Sequence, residues 1–320
     1  MSESAPVSPP ALVADIGGTN TRVALADGVT LRPGSVRRFR NADHPDLPAV
    51  LRAYLAQDPG ARPGSACVAM AGPVSEGTGR LTNLDWEVTA AAIAECTGAE
   101  EVAVINDMQA QGHALAHLAP SALSPVQAGR QPGQRATRLV VGVGTGFNTA
   151  AVHEERKGTL VPPSEAGHTG LPVRSAEDLA LADHLEAAHG YPSVEDLLSG
   201  RGITHVHDWV AGRETGMDSE AIMAACAAGD ETARRSVGIF VRILGQVTGN
   251  MALVQLPFGG IYLIGGMARA VMPYMDEMGF AAAFRDKGRF SGFMERFPIW
   301  VVEDDYAALT GAAAHLADHI

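Results

Sequence analysis

The chain has 320 residues, enough for two domains of ordinary size, each with its own core. With 46% hydrophobic and 19% charged residues it reads as an ordinary globular protein, not a disordered one. A net charge of −12 and the absence of any Lys/Arg cluster argue against nucleic acid as a partner.

Cys67, Cys96 and Cys226 are odd in number and widely spaced, so neither a disulfide framework nor a cysteine zinc site is expected, and a reducing cytoplasm fits best. The opening MSESAPVSPP has no basic start and no apolar core, and reads as a loose tail, not a signal peptide. No apolar run is read as long enough to span a bilayer.

The first element is an apolar strand, LVADI, followed by Gly17-Gly18-Thr19-Asn20 and a second strand, TRVALAD. In the second strand Val23 and Leu25 alternate with Arg22, Ala24 and Ala26, a period near two. A dinucleotide fold would place a helix after such glycines, so a hairpin is predicted instead. Gly17 and Gly18 are expected to take positive φ and let backbone N–H groups approach an anion, with Thr19 and Asn20 adding short polar side chains. A carboxylate at Asp15 would repel a phosphate directly, so its useful role there is to hold a hydrated Mg²⁺ between them. An ordinary surface hairpin is the plainer reading of the same residues.

LRPGSVRRF allows a third strand, and DLPAVLRAYLAQD a helix with Leu47, Val50, Leu51 and Tyr54 on one face. SACVAMAGPV reads as a buried strand stopped by a Gly72-Pro73 turn, with LTNLDW and a helix ending at Gly98 after it. The strand EVAVI then runs through Asn106-Asp107 straight into a helix. An Asx residue there is a good N-cap, and it also places a carboxylate at a strand's carboxyl end, where Asp107 could take the proton of a hydroxyl attacking a phosphoryl group.

Pro120 to Arg138 is read as a polar loop, after which LVVGVGTGFNTAAV repeats the opening pattern. Aligning Gly17 with Gly144 matches strand to strand and turn to turn, with Gly142 where Asp15 stood. The halves are therefore expected to be two related α/β domains facing a cleft, their glycine turns gripping one polyphosphate. VPPSEAGHTGLPV presents Glu165 and His168 from an irregular loop, acceptors and donors suited to a polyol. From Ala176 to Arg234 the pattern is helical, and Ser193 could cap a short helix carrying Glu195. A long buried helix, TARRSVGIFVRILGQVTGNMALVQ, precedes FGGIYLIGGMARAVMPYM, read as strand, turn and helix. Gly265 and Gly266 would let a flat base lie against the backbone, or simply make a tight turn. FRDKGRF is a basic loop, PIWVVED a last strand, and YAALTGAAAHLADHI a terminal helix of small residues that crosses back to the first domain.

Taken together, ADIGGTNTR, AGPV, TNLDW, VINDMQA, GTG, SEAGH, VEDLLSG, GGIYLIGG and FRDKGRF resemble the bacterial glucokinases of the actin-like sugar kinase superfamily over nearly the whole chain. The resemblance implies two ribonuclease H-like α/β domains. The smaller would hold residues 1–110 and 303–320, the larger 111–302. Asp15, Gly17, Gly18, Thr19 and Asn20 would form the first phosphate loop and Gly144, Thr145 and Gly146 the second. Asp107 would be the base on the sugar's 6-hydroxyl, with Asn106, Glu165, His168 and Glu195 binding glucose and Gly265 and Gly266 bordering the adenosine. It further implies ATP and Mg²⁺, a cytoplasmic homodimer, and glucose 6-phosphate as product. A kinase for mannose, fructose or an amino sugar, or a sugar-binding regulator without chemistry, is the alternative.

Two departures from the family pattern stand out. Its second loop usually runs GTG-apolar-Gly, whereas here Phe147 is followed by Asn148, whose side chain is expected to enter the cleft region. Asp304-Asp305-Tyr306-Ala307 replaces an Asn-Pro-Gly stretch, an exchange expected to affect packing only. The cysteine zinc loop of the related repressor-and-kinase group is missing.

Overall fold

The computed structural model describes residues 9–81, 84–131, 133 and 135–319. Most of the expected tail, and Thr82-Asn83 of LTNLDW, lie outside the described residues. The chain forms two compact units. One runs to Ala119 and adds Glu154–Pro163 and the C-terminal stretch from Asp304; the other comprises Pro120–His153 and Ser164–Glu303.

In the first unit the strands are β1 (Ala11–Ile16), β2 (Asn20–Asp27), β3 (Thr30–Leu31), β4 (Arg37–Arg40), β5 (Ser65–Met70), β6 (Val74–Ser75), β7 (Thr78–Arg80), β8 (Glu87–Thr89) and β9 (Glu101–Asn106), with helices α1 (Leu47–Leu55), α2 (Ala90–Thr97) and α3 (Asp107–Ala114). The single strand expected from LRPGSVRRF is thus two short ones, parted by Pro33 and Gly34, whose φ of +71° turns the chain. The main sheet runs β3-β2-β1-β5-β9, with β4 also on β2. β1 and β2 are antiparallel, while β1, β5 and β9 are parallel. Alternation explains the layering. Leu12, Ala14 and Ile16 face the core that contains Leu47, Val50, Leu51 and Ile93 of α1 and α2. Val13, Ala24, Ala26, Cys67 and Ala69 form the opposite core with Ala308, Leu309, Ala312 and Ala313. Each fully buried leucine contributes about 1.5–3 kcal/mol.

Capping sets the helix starts. Asp46 accepts the Ala49 N–H at 2.7 Å and Thr89 that of Ala92 at 3.2 Å, while Gly98, at φ +75°, closes α2.

The rest of the chain supplies β10 (Leu123–Gln127), β11 (Arg138–Val143), β12 (Phe147–Glu155), β13 (Gly158–Leu160), α4 (Ala176–His189), α5 (Val194–Leu197), α6 (Gly202–Ala211), α7 (Ser219–Ala227), α8 (Glu231–Gln255), β14 (Gly260–Ile264), α9 (Gly266–Val271), α10 (Phe280–Arg285), α11 (Ser291–Met294), β15 (Ile299–Val302) and α12 (Ala307–His319). The last of these belongs to the first unit, where it lies on α3, β1 and β5. Gly311 lets it do so, because a Cβ there would stand 1.7 Å from the Ala110 carbonyl of α3. α3 therefore stays whole, together with α12, in the first unit, and the chain crosses to the second after Ala119, not within the helix at residue 110.

The second sheet runs β10-β15-β14-β11-β12, and β12 continues into a hairpin with β13. β11 and β12 are antiparallel, with β14 and β15 parallel to β11, the same plan as β1, β2, β5 and β9. The repeat read in the sequence is thus a repeat of topology, with the second turn one residue shorter: Val143 pairs with Phe147 where Ile16 pairs with Thr21. β10 lies inside the stretch read as a polar loop. It is an edge strand with Pro125 in it and a bulge before Gln127, which masks its alternation. α8 corrects another expectation, since its 25 residues include an 18-residue window of mean hydropathy 1.5, long and apolar enough to cross a membrane by composition. Here it is the central helix of its unit, with Phe240, Val241 and Leu244 fully buried.

Candidate active site

The first glycine turn is built on the β1–β2 pair, where Asp15 faces Arg22 across the ladder. Gly17 N–H closes the turn on the Asn20 carbonyl at 2.9 Å. Neither Gly17 nor Gly18 takes the expected positive φ. The turn is held instead by a residue that the sequence did not mark. Asn41, 2% exposed, donates Nδ2–H to the Gly17 carbonyl at 2.8 Å, accepts the Thr21 hydroxyl at 2.8 Å, and donates its backbone N–H to the Thr19 carbonyl at 2.9 Å. Nothing in NAD, the short turn after RRFR, distinguishes Asn41 in sequence from an exposed polar residue. Burial raises the pKa of the Asp15 carboxyl above its usual value, against the pull of the Arg22 guanidinium at 3.3 Å.

At the end of β9 the capping role falls to Asn106 and not to Asp107. Asn106 is the N-cap: its side-chain oxygen accepts the Met108 N–H at 2.8 Å, and the Gln109 side chain reaches back to the Asn106 N–H at 3.1 Å. Its Nδ2 donates to the Gly72 carbonyl at 3.0 Å, which fixes the AGPV turn, where Gly72 has φ +108°. Asp107 is the first residue of α3, half-buried, with Oδ1 2.8 Å from the Met108 N–H.

The second unit gathers the rest. Gly144 N–H closes the second turn on the Gly146 carbonyl at 2.9 Å, and Gly200 N–H donates to the Gly144 carbonyl at 2.8 Å. Neither Gly144 nor Gly146 has positive φ. Gly146 leaves room for the Glu195 carboxylate, since a Cβ there would lie 2.5 Å from Oε2 and the side chain would have to swing away from its present contacts. That carboxylate accepts the Phe147 N–H at 2.8 Å and pairs with Arg201 at 3.4 Å. Ser193 caps α5 as expected, in a reciprocal box with Asp196, and so sets the helix that carries Glu195.

Glu165 opens a 3-10 turn, Ala166–His168, whose middle residue Gly167 lies so close that a Cβ would stand 2.0 Å from the Phe147 carbonyl. Thr169 and Gly170 then pair with Ser193 and Val194, through Val194 N–H to the Thr169 carbonyl at 2.9 Å. Glu165, His168 and Glu195 are thereby brought together. Desolvation raises the Glu165 pKa, the His168 imidazole opposes the rise, and the Glu195 charge reinforces it. Asn148 differs from expectation: its carboxamide is taken up by backbone, donating to the Ser164 carbonyl and accepting the Ala166 N–H at 3.0 Å. Gly265, at φ +112°, links β14 to α9 against the Val143 carbonyl at the base of the same turn, and Gly266 faces open space.

A family model described as glucokinase matches residues 12–319. The glucokinase of Rhizobium leguminosarum bv. trifolii is 32% identical over 98% of this chain and 93% of its own. The crystal structure of glucokinase from an Antarctic psychrotroph is similar with a TM-score of 0.83 at 31% identity, covering 96% of this chain and 98% of that one. A ROK family glucokinase from Streptomyces griseus, in complex with glucose and AMPPNP, shares the fold with a TM-score of 0.68 at 18% identity, covering 97% of this chain and 100% of that one. The fold is the actin-like one of these sugar kinases, and the chain belongs to the glucokinase family of sugar-phosphorylating enzymes.

Proposed function

We propose that the protein transfers the γ-phosphoryl group of ATP to the 6-hydroxyl of glucose, with Asp107 as the general base. The observation that carries this reading is the shared framework of the second unit: Glu195 holds the phosphate turn through Phe147 while standing beside Glu165 and His168. Carboxylates and an imidazole are acceptors and donors for sugar hydroxyls, and the free N–H groups of a glycine turn suit phosphate oxygens. The Streptomyces griseus relative was solved with glucose and an ATP analogue, which supports this substrate pair.

In the step itself the sugar oxygen forms a bond to the γ-phosphorus as the bond to the bridging oxygen of ADP breaks. Asp107 accepts the hydroxyl proton at its carboxylate. Glu165, His168 and Glu195 orient the ring, with Asn106 fixing the strand end from which Asp107 projects. The two glycine turns hold the polyphosphate, so most of the rate comes from positioning. Gly265 and Gly266 border the adenosine. Asp15 fits a hydrated Mg²⁺ chemically, being a hard oxygen donor at a strand end beside the first turn, and Arg22 neutralises it otherwise. When bound, Mg²⁺ would screen the phosphate charge.

The test is initial rates for glucose, mannose, fructose and glucosamine with ATP and other phosphoryl donors in the presence of Mg²⁺, on wild type and Asp107→Ala. Glucose with ATP should give the highest kcat/KM, and the substitution should lower kcat by about 10²–10⁴-fold. Preference for another hexose overturns the substrate, and near-wild-type turnover of Asp107→Ala overturns the base.

A further inference from the structure

Asn148 occupies a special place in the duplicated hairpin. In the first copy the second cross-strand pair from the turn is Asp15 with Arg22; in the second it is Gly142 with Asn148. Arg22 answers the carboxylate opposite it. Gly142 has no side chain to answer, so Asn148 is free to reach away from the ladder. It reaches the loop that carries Glu165 and His168. Its Nδ2 donates to the carbonyl of Ser164, and its Oδ1 accepts the N–H of Ala166 at 3.0 Å and that of Thr149 at 2.8 Å.

The two loop groups are the peptide units on either side of Glu165. One carboxamide therefore grips the chain before and after that residue, as a neighbouring strand would. Glu165 has φ −127° and ψ 52°, neither helical nor extended, so no regular element fixes it. Two further contacts join the same parts: Gly167 lies against the Phe147 carbonyl, and Glu195 accepts the Phe147 N–H. Phe147 and Asn148 are also the two residues that directly follow Gly146.

We propose that Asn148 is a positioning residue that sets Glu165 for the sugar and ties the sugar loop to the second phosphate turn, so that nucleotide and sugar each favour the other's binding. This rests on the assignment of Glu165 to the sugar and of residues 144–146 to the phosphates. A side chain at this position acts through backbone and touches neither substrate. Its loss thus weakens sugar binding and its coupling to nucleotide, and leaves nucleotide affinity in the absence of sugar nearly unchanged. Asn148→Asp keeps the acceptor for Ala166 and loses the donor to Ser164, whereas Asn148→Ala loses both.

The experiment is calorimetric glucose binding to wild type, Asn148→Asp and Asn148→Ala, with and without a non-hydrolysable ATP analogue, beside analogue binding alone and thermal unfolding. Asn148→Ala should raise the glucose Kd by about 10–100-fold, the equivalent of two lost hydrogen bonds. Its analogue Kd without glucose should stay within about threefold, and the gain in glucose affinity on adding analogue should shrink. Asn148→Asp should fall between it and wild type. A variant that melts like wild type and binds glucose with unchanged Kd and coupling overturns the proposal. So does equal weakening of glucose and analogue, the mark of a general loss of structure. Wild type that binds no glucose overturns the underlying assignment instead.

Discussion

Asn41 holds the carbonyl of Gly17 with its amide hydrogen and the hydroxyl of Thr21 with its oxygen, both at 2.8 Å. The first glycine turn is therefore fastened from outside the hairpin by one buried side chain. Asn41→Ala leaves both partners unpaired and should cost about 1–3 kcal/mol of stability. Asn41→Asp keeps an acceptor for Thr21 but puts a carboxylate against a carbonyl, so it too should suffer. Since the turn is assigned to the nucleotide, the KM for ATP should rise more than that for glucose. Urea unfolding and steady-state kinetics on the two variants measure both effects. An unchanged KM for ATP in a folded Asn41→Ala would remove the turn from the nucleotide site.

Glu195 does two jobs that the sequence presented as one. It stands beside Glu165 in the proposed sugar set, and by accepting the Phe147 N–H at 2.8 Å it also shapes the second glycine turn. Glu195→Gln retains an oxygen for that N–H, whereas Glu195→Ala orphans it. Both should raise the KM for glucose, and only Glu195→Ala should also raise the KM for ATP. Gly146→Ala tests the same contact from the other side, because its Cβ would arrive 2.5 Å from Oε2. Loss of most activity with a melting temperature near wild type is the expected result. Full activity in Gly146→Ala would mean that the carboxylate can leave without consequence.

These pairs show what a sequence can and cannot reveal. TRVALAD declares itself by alternation, LVADI by its short apolar run, and helix ends by Gly98 and Ser193, because those signals are local. The repeat of the hairpin was legible for the same reason, and with it the candidate loops. Asn41, Gly167 and the reach of Asn148 were not, since each acts on residues distant in the chain through a contact that composition does not mark. β10 hid behind Pro125 and a bulge. The positive φ expected of Gly17 and Gly18 is not found, and the turn is closed with ordinary backbone angles.

Gly311 makes the closest of these approaches, with a Cβ position 1.7 Å from the Ala110 carbonyl, so α12 and α3 touch backbone to backbone. Gly311→Ala has to push the helices apart. The gain in helix propensity of about 1 kcal/mol is outweighed by the clash, and a net loss of about 1–3 kcal/mol is expected. Because Asp107, the proposed base, begins α3, the displacement should reach it, and kcat should fall further than the KM for ATP rises. Thermal unfolding and kinetics together decide it. A stabilised Gly311→Ala would show that the two helices have room to spare.

The same helix pair sets a pH dependence. His113 of α3 and His315 of α12 share a hydrogen bond between ring nitrogens at 3.1 Å, with His319, His117 and Asp318 around them. Burial, reinforced by the neighbouring histidines and opposed by Asp318, lowers both pKa values from 6.5 to about 4. The folded protein thus refuses protons that the unfolded chain accepts near pH 6.5. Stability from this pair is complete above that pH and is lost as pH falls from about 6.5 toward about 4, by at most about 1.4 kcal/mol per unit for each histidine. His315→Gln removes one titrating ring and relieves its partner of a neighbouring charge. Its urea midpoint should therefore fall less than that of wild type between pH 7 and pH 5. Parallel pH profiles for the two proteins would show that the pair titrates normally in the fold.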